Sequence, residues 1–282
     1  MKLFYYSLLV IAGFLAMSLA SFWLTVRPPR LVIPVHPRDY NLQAEEVTIP
    51  TDDGLRLSAW LVPRAAAPAI ILLHGYPAEK ADLLPLAAAL HPYFTILLVD
   101  LRYFGKSAGR ATTFGFRERR DLGRAIDFLG ARGFDRVGVF GFSLGGAVGI
   151  MTAAEDARIR AVAAYAPFAD LRTLGHEVYS FLWVLKYPLV EAMILWARLF
   201  LGGNISRPSP ATAAATLSIP VLLIHSRGDE QIAFGHAERL RRALARNPDA
   251  EFHFIERGRH GEFDRGLDER ITAFFKEHLA GC

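Results

Sequence analysis

Apolar residues fall into two kinds of run along this chain. The first is one long run. Leu3 to Val26 carries no charge; nineteen of its 24 residues are apolar and the other five are Ser, Gly or Thr. At about 1.5 Å per helical residue it reaches roughly 36 Å, against a bilayer core of ~30 Å. Lys2 precedes it, and Arg27-Pro28-Pro29-Arg30 ends any helix there. Two readings stand. One is an uncleaved single-pass membrane anchor. The other is a signal peptide cut after Ala20, at Ser18-Leu19-Ala20, giving a secreted or periplasmic protein. The length of the run favours the anchor, as do the aromatics near both ends, Phe4, Tyr5, Tyr6 and Trp23. The flanking charges leave the side of the membrane open.

The second kind of run is short and recurs. Val47–Pro50, Leu55–Val62, Ala69–Leu73, Phe94–Val99, Val137–Phe142, Ile159–Ala166, Val221–Ile224 and Glu251–Ile255 read as strands. Asp52-Asp53-Gly54 between the first two reads as a hairpin turn, which accounts for that carboxylate pair. Helical patterns separate most of the others: Ala81–Leu90, Phe116–Arg132, Leu144–Ala154, Ala233–Ala245 and Leu267–Leu279. Unbroken apolar strands alternating with helices predict an α/β protein with a mostly parallel sheet covered on both faces. Leu171 to Ser218 breaks the rhythm. It is strand-free and aromatic, and Lys186, Pro188, Glu191 and Arg198 make it a poor second membrane span. It reads as two or three short amphipathic helices. The domain plan is therefore 1–26 anchor or signal peptide, 27–44 Pro-rich linker and 45–282 globular domain with an insert at 171–218.

Composition adds limits. With 52% hydrophobic and 21% charged residues the chain is not a disordered one. A net charge of +4 does not argue for nucleic acid. The basic residues are nearly all Arg, and those of 117–124 alternate with acids, as a solvated helix face does. Cys282, the last residue, is the single cysteine, so no intrachain disulfide and no cysteine-based metal site can form. No dinucleotide, phosphate-loop or metal-ligand spacing is present, and no cofactor is expected.

The chemistry concentrates in three loops. Gly141-Phe142-Ser143-Leu144-Gly145 follows a strand and opens a helix, the setting in which a Gly-x-Ser-x-Gly turn exposes a nucleophilic serine. The bland alternative is a capping serine on a Gly-rich helix start. A serine needs a base. Of the nine histidines, His260 lies in the loop before the last helix, in Gly258-Arg259-His260-Gly261. The base needs an orienting acid, and Asp229 follows the strand Val221–Ile224. Asp170 and Glu230 are its rivals. An oxyanion needs two preorganised N–H donors. Leu144 supplies one and Tyr76, in His74-Gly75-Tyr76-Pro77, the other. His74 reads as structural.

These residues resemble the α/β-hydrolase superfamily from about Val47 to Leu279. Asp100-Leu101-Arg102-Tyr103-Phe104-Gly105-Lys106-Ser107 is similar to its Asp-x-Arg-Gly-x-Gly-x-Ser loop, with Tyr103 where Gly is usual. With the N-terminal helix, the chain looks like the membrane-anchored, serine-aminopeptidase-like members. The resemblance implies an eight-stranded, mostly parallel sheet with a small helical cap at 171–218. It also implies ester hydrolysis through an acyl-enzyme, with Ser143, His260 and Asp229 as triad. Thioester, lipid-ester and short-peptide cleavage rank behind. The expected partners are a small ester or lipid-like substrate and a membrane, not nucleic acid; the oligomeric state is open. The competing reading is a catalytically silent, membrane-tethered binding module on the same fold.

Overall fold

The computed structural model describes residues 1–263 and 266–279. Cys282 lies outside the described residues. Helix α1 (Lys2–Val26) carries the long apolar run. Strands β1 (Glu45–Pro50) and β2 (Arg56–Val62) form the expected hairpin, pairing Pro50 with Arg56. Then come β3 (Ala69–Leu73), α2 (Leu84–Leu90), β4 (Thr95–Val99), α3 (Glu118–Gly130), β5 (Val137–Phe142), α4 (Leu144–Ala153) and β6 (Ile159–Tyr165). The insert forms α5 (Leu171–Val178), a 3-10 turn at Ser180–Leu185, the longer α6 (Lys186–Leu201) and α7 (Pro210–Ala214). Strand β7 (Val221–Ser226), α8 (Gly235–Ala243), β8 (Ala250–Ile255) and α9 (Leu267–Leu279) complete it.

The eight strands lie in one sheet, ordered β1-β2-β4-β3-β5-β6-β7-β8. β1 and β2 pair antiparallel, as do β2 and β4; every other pair is parallel. Each strand falls within two residues of an apolar run expected from the sequence. Residue alternation explains why the central strands are apolar throughout. Ile71, Leu73, Leu97 and Val99 pack with Leu122, Ile126 and Val148 on one face. Ile70, Leu72, Ile96 and Leu98 pack with Leu84, Phe274 and Phe275 on the other. A strand buried on both faces has no polar side to show.

Two segments do more than sequence patterning suggests. The stretch 27–44 lies against the domain: the Tyr103 hydroxyl donates to the Pro28 carbonyl at 2.5 Å, and Leu42 is buried. The last turns of α1 pack on α6, where Phe22 and Val26 are buried with Ala197 and Leu201.

The hairpin turn has an electrostatic role. Asp53 accepts from Arg102 at 2.9 Å and from Arg117 at 3.0 Å. The hydrogen bond from Arg102 holds the Asp53 carboxyl well below the usual carboxylate range, against the opposing effect of burial. A carboxyl depressed on folding stabilises the fold above its unfolded pKa and loses that contribution as pH falls. Asp53→Asn is therefore expected to lose less stability than wild type between about pH 5 and about pH 2.5. Urea midpoints at the two pH values measure this; equal falls in both proteins would remove Asp53 from the account.

Candidate active site

Between β5 and α4 a single residue, Ser143, must reverse the chain. It does so at φ 51°, ψ −111°. For a residue with a side chain that conformation costs of order 1–3 kcal/mol and persists only where its surroundings enforce it. The enforcement is packing. A Cβ on Gly141 would lie 2.2 Å from the Gly145 carbonyl carbon, and one on Gly145 would lie 2.2 Å from the Leu73 carbonyl oxygen. Strand and helix can close this tightly only with glycine at both positions. Ser143 then sits at the N-terminus of α4, where unpaired N–H groups favour negative charge.

His260 and Asp229 come from the loops after β8 and β7. The His260 Nδ1–H donates to Asp229 Oδ2 at 2.7 Å. Asp229 Oδ1 accepts from the Gln231 and Ile232 amides at 2.9 and 2.8 Å. Burial alone would raise the Asp229 carboxyl; the hydrogen bonds from His260 and those amides outweigh it and hold it below its ordinary value. So Asp229 is an anion and orients the imidazole. The His260 ring packs on Phe142, the residue before Ser143, with ring centres 4.9 Å apart. Gly261, at φ +78°, allows this, since a Cβ there would fall 2.7 Å from the Phe142 ring. Among the described residues the Ser143 hydroxyl makes no hydrogen bond, to His260 or to anything else. Nucleophile–base contacts are often long in an unliganded site and tighten around substrate.

The rival acids have other work. Asp170 caps α5, accepting from the Thr173 amide at 2.8 Å. The Glu230 carboxylate accepts from the His260 backbone amide at 3.1 Å. His74 is fully buried. Its Nδ1–H donates to the Gly75 carbonyl at 2.8 Å and its Nε2 accepts from the Leu101 amide at 3.0 Å. It is a strut between two loops, and burial lowers its pKa and keeps it neutral. That strut holds the Tyr76 loop against the serine turn: a Cβ on Gly75 would lie 3.2 Å from Ser143 Cβ. Among the described residues the Tyr76 and Leu144 amides donate to no other group, so both are available to an oxyanion.

Tyr103, at the position where the resemblance expects Gly, adopts φ 76°. A side chain there costs roughly 1–2 kcal/mol. The ring has a compensating use. Its hydroxyl holds the Pro28 carbonyl, and the Arg30 guanidinium lies 4.9 Å from its centre. The departure ties the segment after α1 to the loop beside the site.

Ser143, Leu144, Tyr76 and Asp229 all line one cavity of about 590 Å³. Its walls are largely apolar, from Phe168 and Leu174 to Val190 and Ile194. The wall that sequence reasoning missed is α1, whose Phe22, Thr25 and Val26 also line it. The Tyr76 hydroxyl donates to the Thr25 carbonyl at 3.1 Å, and Thr25 Oγ1 lies 3.2 Å from the Tyr179 hydroxyl.

A family profile described as alpha/beta hydrolase fold matches residues 68–191. Over 218 residues the chain is 31% identical to YfhR of Escherichia coli, an uncharacterized protein, covering 73% of this chain and 69% of YfhR. The chain belongs to the α/β-hydrolase family. Among solved α/β-hydrolases, an esterase of Pyrococcus furiosus is 26% identical, with a TM-score of 0.74 over 91% of this chain and all but 1% of its own. An acylaminoacyl peptidase of Pyrococcus horikoshii shares the fold at 20% identity and a TM-score of 0.66, over 86% of this chain and 42% of its own. The family and the esterase likeness support hydrolase chemistry.

Proposed function

We propose that this α/β-hydrolase is a membrane-anchored serine hydrolase that cleaves carboxylic esters through an acyl-enzyme. The observation that carries the reading is the 2.7 Å bond from His260 to a charged Asp229 beside the strained Ser143 turn. His260 Nε2 takes the Ser143 proton as Oγ attacks the carbonyl carbon. The Tyr76 and Leu144 amides receive the oxyanion. His260 then protonates the leaving alcohol and afterwards activates the water that releases the acid, while Asp229 stabilises the imidazolium. The apolar cavity favours an apolar acyl group, and the insert 171–218 acts as its cap. Ester ahead of amide follows the likeness to the Pyrococcus esterase.

Packing supports the anchor over a cleaved leader. Ser18 is buried and accepts from Trp196 Nε1 at 3.0 Å. A cut after Ala20 would discard that contact and part the helix beside Phe22. The mature protein is expected to keep residues 1–20; an N-terminal peptide beginning at Ser21 would count against it.

A fluorophosphonate probe tests the chemistry. Wild type is expected to label, Ser143→Ala not at all and His260→Ala far more slowly. The competing reading is a catalytically silent binding module on the same fold. An unlabelled but folded wild type would overturn the hydrolase reading and favour a binding module or a blocked site.

A further inference from the structure

We propose that the turn before α6 is a membrane-seating surface, which sinks into the near leaflet of the bilayer that α1 spans and sets the mouth of the cavity against lipid. This rests on the anchor reading of α1 and adds to it where the domain sits. Length is the first argument. From Lys2 to Met17 the large apolar residues of α1 are mostly exposed, and from Ser18 onward the helix packs on α6. The free part is 16 residues, roughly 24 Å, which is shorter than the ~30 Å hydrocarbon core. A spanning α1 must therefore draw its packed turns, and the α6 residues on them, into the membrane.

Position is the second. Ser18 meets Trp196, and Trp23 packs on Phe200 with ring centres 5.3 Å apart. Tyr179, the residue before the turn, reaches Thr25 in the last turn of α1 at 3.2 Å. The turn therefore lies beside the packed end of α1, the part that the length argument draws to the membrane. It is an apolar cluster in water: Phe181 is 77% exposed, Trp183 79%, Leu185 59%. An apolar patch of that kind marks a contact surface. Trp183 is held outward by a backbone at φ 52°, ψ −117°, a strained conformation for so bulky a residue. Tyr187 and Lys186 follow it, the aromatic and cationic types that settle at the headgroup level.

Third, the patch adjoins the cavity. Val178 and Tyr179, just before the turn, line it, as do Val190 and Met193 of α6 and Phe22 of α1. An ester dissolved in the leaflet would reach Ser143 between the two helices without crossing water.

The full-length protein in phosphatidylcholine vesicles tests this. Tryptophan emission is compared between plain lipid and lipid brominated on the acyl chains, for wild type and Trp183→Phe. The emission that Trp183 contributes is expected to fall by more than half in brominated lipid. Unquenched Trp183 beside quenched Trp23 and Trp196 would overturn the seating and leave the anchor standing; no quenching anywhere, with release by alkaline carbonate, would overturn both. A second arm uses Phe181→Glu with Trp183→Glu, residues outside the cavity. Hydrolysis of a vesicle-embedded long-chain ester is expected to drop at least tenfold, with p-nitrophenyl acetate cleaved as before. Equal rates on the embedded ester would overturn the seating. Wild type that cleaves neither ester but still shows Trp183 quenching would sink the hydrolase reading alone.

Discussion

On the proposed mechanism, Asp229→Asn is expected to lower kcat on a p-nitrophenyl ester by about 10⁴-fold with the fold intact. The size follows from which atoms the carboxylate occupies. Oδ1 is held by the Gln231 and Ile232 amides, so an Asn must keep its oxygen there. Its NH₂ group then faces His260 Nδ1, where a carboxylate oxygen accepted at 2.7 Å. Nδ1 becomes the acceptor and the ring hydrogen moves to Nε2. An Nε2 that already carries a hydrogen cannot take the proton of Ser143. Ser143→Ala would remove the proposed nucleophile itself and is expected to cost more, about 10⁶-fold. Asp170→Asn should stay close to wild type in kcat, because Asp170 caps α5. Initial rates on the three variants decide it. An Asp229→Asn protein as fast as wild type would take Asp229 out of the mechanism.

That contrast between two aspartates marks where the sequence stops being legible. Asp170 and Asp229 each follow an apolar strand, and strand order alone does not separate them. What separates them is local: a Thr three residues on binds the first as a helix cap, while two amides and an imidazole converge on the second. The sheet itself was readable, because burial on both faces leaves an unbroken apolar run as its imprint. The serine turn was readable for a related reason, since only glycine at 141 and 145 permits so close a strand–helix contact. The lack of a Ser143–His260 hydrogen bond among the described residues was not, because a sequence carries no distance.

The N-terminal helix was half legible. Its hydropathy announced a span and concealed a wall of the cavity. The trace was in the polar exceptions. Ser18 and Thr25 are seven residues apart, on the same helical face as Phe22. That face meets Trp196, Tyr179 and the cavity. A span facing only lipid has no need of such a stripe. The insert was legible as helices, but its partner was not, since nothing in residues 171–218 names α1 as the helix it packs on.

Lys80→Met is expected to destabilise the protein by about 3–5 kcal/mol, through a residue no motif pointed to. Lys80 and Asp100 are both fully buried and paired at 2.5 Å. The ammonium also donates to Ser58 Oγ at 3.1 Å and lies 4.5 Å from the Trp60 ring centre. Asp100 in turn accepts from the Lys80 and Lys106 amides, and its carbonyl accepts from Ser107. Removing the cation leaves a carboxylate buried with only neutral donors. At roughly 2–4 °C per kcal/mol for a chain near this size, Tm should fall by about 10 °C. The site should suffer as well, because Leu101, next in the chain, donates to the His74 strut behind the Tyr76 amide. Adding Asp100→Asn to Lys80→Met should recover part of the lost Tm, since the cost lies in the stranded charge more than in the lost attraction. A double variant less stable than Lys80→Met would locate the cost in the Asp100 hydrogen bonds instead, and make the carboxylate, not the pair, the element that holds the loop.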